Sequence, residues 1–249
     1  GDIALGNVVG SNIFNIGVIL GLAAVICPLP VKFTLIKIDT PIMIAVALLL
    51  PVVIRAGFSR PAGALLVLAL VVYLAVNIRL ARRQATLEVL KEFDGAVPGP
   101  SRSTARDAGL IVGGLALLVI GAKFLVTGSV SLARGFGISE AVIGLTIVAA
   151  GTSMPELATS LVAALRKQPD ICIGNVVGSN IFNVLGILGA SALARPFSST
   201  GVGPLDLAVM CAFSCAVLPL LWSGRRLERI EGAALVLAYA GYLYALWPK

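Results

Sequence analysis

The chain contains no histidine. Imidazole-ligated zinc, haem held through histidine and histidine-based proton transfer are thereby excluded. Charge is scarce too: Asp, Glu, Lys and Arg make up 12% of the 249 residues, where a soluble domain carries about 25%. Four cysteines, Cys27, Cys172, Cys211 and Cys215, lie within apolar runs and form no CxxC pair. They read as small buried hydrophobes, not as a metal or redox site. Neither HExxH nor GxSxG occurs, and a histidine-free chain leaves few general bases, so it is not read as an enzyme. What is abundant is apolar: 58% of residues are hydrophobic and the mean hydropathy is +1.01. A protein core cannot absorb so much, and lipid must be the solvent for much of the surface. The fold class that follows is an all-α, multi-pass membrane protein, because an open sheet edge in lipid would leave backbone groups unpaired.

A spanning helix needs ~20 largely apolar residues. Eight segments meet that measure, at about 3–26, 40–54, 61–80, 107–126, 138–165, 171–193, 204–222 and 230–247. The second is short and is extended by its flanks. The net charge of +7 is not a nucleic-acid footprint, since the basic residues stand in short clusters between apolar runs with no interleaved aromatics. Loops on one side hold Lys32, Lys37, Arg79, Arg82, Arg83, Lys91, Arg102, Arg106, Arg166, Lys167, Arg225, Arg226 and Arg229. Loops on the other hold only Arg55, Arg60, Arg134, Arg195 and Lys249. The positive-inside rule puts the first set in the cytoplasm of a plasma (inner) membrane protein. Lys123, inside the fourth segment, either snorkels to the interface or partners a buried carboxylate. The polar stretch 81–106 reads as a cytoplasmic linker whose first part could be a short amphipathic helix.

The ten residues GNVVGSNIFN occur at 6–15 and again at 174–183 without a difference. GALLVLALVVYL at 63–74 is likewise matched by GAALVLAYAGYL at 232–243. Two copies of a three-segment unit are thus separated by two further segments. Three and two make five, an odd number, so the copies begin on opposite sides of the membrane. This is an inverted repeat, an architecture of secondary transporters with the substrate site at the midplane between halves. The organisation read from it is a remnant of the first repeat at 1–80, the linker at 81–106 and a complete five-helix repeat at 107–249. Two further segments are expected upstream of Gly1.

Glu156, in GLTIVAAGTSMPELATSL at 144–161, is the one acidic residue read as lying well inside an apolar run. An ionisable group there is a functional-site candidate, the alternative being a protonated, hydrogen-bonded carboxyl. Pro155 lacks an N–H and should free the carbonyl of Gly151. Thr152 shares a helical face with Glu156, and Ser153 adds a hydroxyl. A carboxylate with hydroxyls and loose carbonyls suits a hard cation. In the repeated motif, Asn7 with Ser11 and Asn175 with Ser179 are four apart and present an amide and a hydroxyl on one face. Gly6/Gly10 and Gly174/Gly178 form GxxxG stripes for close helix approach. Asn12, Asn15, Asn180 and Asn183 read as packing or helix-end residues.

GTSMPELATSL followed by GNVVGSNIFN, with the inverted repetition of the latter, resembles the sodium/calcium exchanger branch of the calcium/cation antiporter superfamily. The resemblance covers essentially the whole chain. It implies ten helices in two inverted halves, of which these eight would be the third to the tenth, and exchange of Ca2+ for Na+ by alternating access. The ions are transported substrates, and no resident cofactor is implied. Glu156, Thr152 and Ser153 are carried over as cation ligands, Asn7 and Asn175 as central polar positions, with Ser11 and Ser179 beside them. Two departures stand out. The family's first repeat has its own GTSxPE, absent here, so this chain alone is expected not to transport. Both central positions are Asn where some members have Asp, which leaves Ca2+/H+ or other cation antiport as the alternative.

Overall fold

Long apolar runs whose backbone groups must all be paired within the segment have one economical form, the α-helix. The computed structural model of the chain describes residues 2–85, 104–137, 140–198 and 202–246, and these are almost wholly helical. In chain order the helices are α1 (Ala4–Ile26), α2 (Leu35–Ala56), α3 (Arg60–Ala85), α4 (Thr104–Gly135), α5 (Leu145–Thr152), α6 (Met154–Leu165), α7 (Pro169–Ala194), α8 (Pro204–Trp222) and α9 (Arg229–Leu246). A helical turn, Glu140–Ile143, leads into α5.

Six of these helices are long and apolar enough to cross a membrane, or seven if the bent pair α5–α6 is one span. The expectation of eight spans is therefore not met among the described residues. The segment expected at 230–247 is helical as α9, but Arg229, Glu231, Tyr239, Tyr242 and Tyr244 dilute its apolar character. The second segment is lengthened by its flanks, as expected, and α4 runs well past its expected end at 126. Of the linker at 81–106, residues 81–85 continue α3 and 104–106 open α4. The amphipathic helix considered there falls outside the described residues.

The breaks have local causes. Pro28 and Pro30 stop α1, and Cys27 turns extended (φ −143°). Leu29–Pro30 then forms a short strand, β1, antiparallel to β2 (Arg226–Leu227), with Leu29 opposite Leu227. Gly57, at φ 82°, supplies the left-handed turn between α2 and α3. Phe58 and Phe197 exchange backbone hydrogen bonds of 2.9 and 3.0 Å and stack their rings 4.5 Å apart.

The two copies of the repeat interlock by exchange. α1 packs on α8 and α9 of the other copy, while α7 packs on α2 and α3. Glycine lets the backbones meet at both crossings. A Cβ on Gly232 would stand 2.6 Å from the Gly21 carbonyl oxygen, and one on Gly63 would stand 2.7 Å from that of Gly189. Buried core positions repeat likewise: Leu5, Val8, Val9 and Ile13 on α1 answer Ile173, Val176, Val177 and Ile181 on α7.

The contact between α1 and α7 is polar and reciprocal. Asn12 Nδ2 donates to the Asn180 carbonyl (3.3 Å) and Asn180 Nδ2 to the Asn12 carbonyl (3.4 Å). Asn15 Nδ2 donates to Asn180 Oδ1 and Asn183 Nδ2 to Asn12 Oδ1, both at 2.9 Å. Each bond has its counterpart with the halves exchanged, which is the signature of a local two-fold axis. Satisfying amides against each other is what makes four asparagines tolerable in an apolar core. A π-helical turn starts at the last asparagine of each copy, Asn15–Leu20 and Asn183–Leu188.

Candidate cation-binding site

The hairpin α5–α6 is one apolar run broken in the middle. The axis bends by 57° at Ser153, whose φ and ψ of −92° and 8° lie outside the helical range. Pro155 is the cause, since it offers no N–H to the preceding turn and its ring crowds the carbonyl four residues back. The break puts Gly151, Thr152 and Ser153 at the end of one arm and Glu156 in the first turn of the next. Helix N-termini carry unpaired N–H groups and a partial positive charge, so a carboxylate is stabilised there. Ser153 and Glu156 even have capping-box spacing, yet no side-chain cap bond is made. Glu156 Oε2 is instead buried without a hydrogen-bond partner.

The first motif copy meets the end of α5. Thr152 Oγ1 lies 2.8 Å from Asn7 Oδ1, to which it donates, and 3.2 Å from Ser11 Oγ. Ser11 is buried and donates to the Ala149 carbonyl (3.3 Å). A Cβ on Gly10 would collide with the Leu145 carbonyl oxygen, so α5 can lie this close only over glycine. The second copy meets α6. Asn175 Nδ2 donates to the Glu156 carbonyl (3.1 Å) and to Ser160 Oγ (2.9 Å). Ser179, half-buried, makes no side-chain hydrogen bond to these groups among the described residues.

Gly151 is buried, with room for no Cβ beside Val126, and the chain turns away two residues later. Gly6, Gly174 and Gly178 have no neighbour within 4 Å of a Cβ, so the GxxxG stripes are packed only at Gly10 among the described residues. A cavity of about 370 Å3 between α4 and the break is lined by Lys123, Thr127, Gly151, Thr152 and Pro155, among others. Lys123 is exposed and makes no ion pair with a carboxylate among the described residues.

Three residues were not among the site candidates read from sequence. Asn15 is 1% exposed, and its Oδ1 has no partner although its Nδ2 is bound to Asn180. Its π-helical turn packs against α6, the helix of Glu156. The signal available in sequence was only its place in a repeated motif. Asp39 and Asp206, at equivalent points of the two copies, accept the phenol protons of Tyr73 (2.9 Å) and Tyr242 (2.8 Å). Asp39 also accepts from Asn77, and Asp206 from the Gly203 N–H. These acids are paired, which sets them apart from Glu156. No group of three or more Cys, Asp or Glu side chains is gathered among the described residues. A cation at the break would thus meet one carboxylate and neutral oxygens, a donor set suited to hard ions.

Comparison with known proteins gives the family of the chain. The family described as "Sodium/calcium exchanger protein" matches residues 1–79 and 107–247. The putative antiporter CaxA of Alkalimonas amylolytica is 36% identical over 252 residues, spanning 99% of this chain and 79% of that protein. The sodium/calcium exchanger MaX1 of Methanosarcina acetivorans is 33% identical, spanning 98% of this chain and 80% of its own length. Among solved structures, the sodium-calcium exchanger NCX_Mj soaked with 2.5 mM Na+ and 10 mM Sr2+ superposes with a TM-score of 0.77. It is 29% identical, and the match covers 98% of this chain and 77% of that one.

Proposed function

This chain belongs to the sodium/calcium exchanger family of multi-pass membrane transporters, and from that premise we propose that it serves exchange of Ca2+ for Na+ by alternating access, with Glu156 as the charged ligand. The observation that carries the reading is Glu156 Oε2, buried and unpartnered at the broken hairpin. An ionised carboxylate taken from water costs several kcal/mol unless something positive meets it, and a transported cation does so. Thr152, Ser11, Ser153 and the Gly151 carbonyl are the neutral donors proposed on the α5 side, with Asn15 Oδ1 added from α1. Asn7, Asn175 and Ser179 complete the polar lining. The interlocked copies, α1 with α8–α9 and α7 with α2–α3, support a scheme in which one shared site is opened to either side by relative movement of helices. The loop-charge asymmetry supports an orientation with the Lys/Arg-rich loops on the cytoplasmic side.

A single titratable carboxylate could also carry H+ in exchange for the cation, and one assay separates the two couplings. The full-length protein is reconstituted in vesicles and Ca2+ uptake is followed under an outward Na+ gradient or a pH gradient alone. Uptake driven by Na+ and lost in Glu156→Gln is the expected result. Uptake driven by the pH gradient without Na+ overturns Na+ coupling, and unimpaired uptake by Glu156→Gln overturns the site.

A further inference from the structure

We propose that Asn7 and Asn175 act as positioning residues that hold the two arms of the broken hairpin, and that Ser160 completes the hold on the Glu156 arm. The proposal rests on the reading of Glu156 as the cation ligand and assigns these asparagines a role other than direct ligation.

An amide has two donors and one acceptor oxygen, and the two copies use opposite ends of it. Asn175 directs its Nδ2 at α6, at the carbonyl of Glu156 itself and at Ser160 Oγ one turn later. Both contacts lie within 3.1 Å, so both N–H donors have acceptors. Ser160 is 0% exposed, which leaves water no way to substitute for it. The turn that carries the carboxylate therefore cannot slide along α7 without orphaning a buried amide. On the other arm, Asn7 accepts through Oδ1 from Thr152, the last residue of α5. One hairpin lies between two copies of a motif, so one copy meets the end of its first arm and the other the start of its second.

This accounts for identical asparagines doing different work. Aspartate at 175 would have no proton for the Glu156 carbonyl, and serine would be too short to bridge two acceptors a helical turn apart. Asn15 differs in that its oxygen is fully buried and has no partner.

The test compares ion-free and Ca2+-loaded full-length protein. Backbone hydrogen exchange over 154–165 is measured without cations, and the Ca2+ concentration for half-maximal thermal stabilisation is measured alongside. Asn175→Ala and Ser160→Ala are expected to speed ion-free exchange about tenfold and to raise the half-maximal Ca2+ by about tenfold, the scale of losing one or two buried hydrogen bonds. Ser160→Thr, which keeps the hydroxyl, restores both. Ion-free exchange at the wild-type rate in Asn175→Ala overturns the proposal, because a ligand alone would act only with the ion bound. If Asn175→Ala does not fold, Ser160→Ala decides by the same criterion. Glu156→Gln should abolish Ca2+ stabilisation and leave ion-free exchange unchanged. Stabilisation that survives it sinks the ligand reading, while the hold on α6 is still judged by the exchange rates.

Discussion

Asn180→Ala and Asn12→Ala are symmetry-related perturbations that the structure predicts to be unequal. Asn180 accepts from Asn15 Nδ2 and donates to the Asn12 carbonyl; Asn12 accepts from Asn183 Nδ2 and donates to the Asn180 carbonyl. Truncating Asn12 removes two hydrogen bonds, truncating Asn180 removes two and a weak third one to Met43 Sδ (3.7 Å), and each strands one amide. The stranded groups differ in surroundings: Asn15 is 1% exposed, whereas Asn183 is half-buried and can reach other partners. A buried polar group left unsatisfied costs about 1–3 kcal/mol on top of ~1 kcal/mol for each bond lost. Asn180→Ala should therefore destabilise by roughly 3–5 kcal/mol and Asn12→Ala by about 2, since partial solvation relieves Asn183. At ~2–4 °C per kcal/mol for a chain of this size, the melting temperatures fall by on the order of 10 °C and 5 °C. Function should divide further. Asn180 orients the Asn15 amide, so its loss should raise the Ca2+ needed for half-maximal stabilisation, and Asn12→Ala should not. Thermal unfolding of both full-length variants across a Ca2+ titration reads both quantities. Equal melting losses with equal Ca2+ shifts would refute the assignment of Asn15 as an oriented donor.

Three other outcomes follow from contacts in the fold. Gly232→Ala and Gly63→Ala each push a Cβ to within 2.7 Å of a backbone oxygen, whereas Gly241 has open space around it. Relative to Gly241→Ala, which shares the gain in helix propensity, both should lose about 1–3 kcal/mol from overpacking in thermal unfolding. Tyr242→Phe takes a donor from Asp206, which is 5% exposed, and should cost about 1–3 kcal/mol. Tyr73→Phe should cost less, because half-buried Asp39 retains Asn77 and reaches solvent. Lys32→Ala breaks a 2.9 Å ion pair with Asp170 whose lysine side chain is 70% exposed, and its melting temperature should change by no more than the ~0.5 kcal/mol usual for such pairs.

Period and composition exposed the parts of this molecule that are local. The proline two residues after the break, the apolar runs and the repeated decapeptide all act within a few turns of chain, and each appears where sequence places it. Contacts across the two-fold axis were not readable in that way. Asn15 and Asn180 are far apart in the chain, and nothing in GNVVGSNIFN says which of its asparagines faces its own image. The motif copies are identical, so sequence assigns Asn7 and Asn175 the same role. Only the single hairpin lying between them makes one an acceptor and the other a donor. Asp39 and Asp206 stand near helix starts, where an acid is unremarkable in sequence, and their tyrosine partners lie one helix away. The shortfall in spans has a similar origin. Helix formation in α9 is local and was legible, while its tyrosines and first-turn charges place it below the apolarity of the others.

The central claim is that a cation is held by the Glu156 carboxyl at the broken hairpin. Crystals of the full-length protein soaked with Ca2+ test it most directly. The account predicts an ion about 2.3–2.6 Å from a Glu156 carboxylate oxygen, with Thr152 Oγ1 or Asn15 Oδ1 completing its shell. An ion bound elsewhere in the bundle, or Glu156 turned to lipid beside an ion it does not touch, would contradict it.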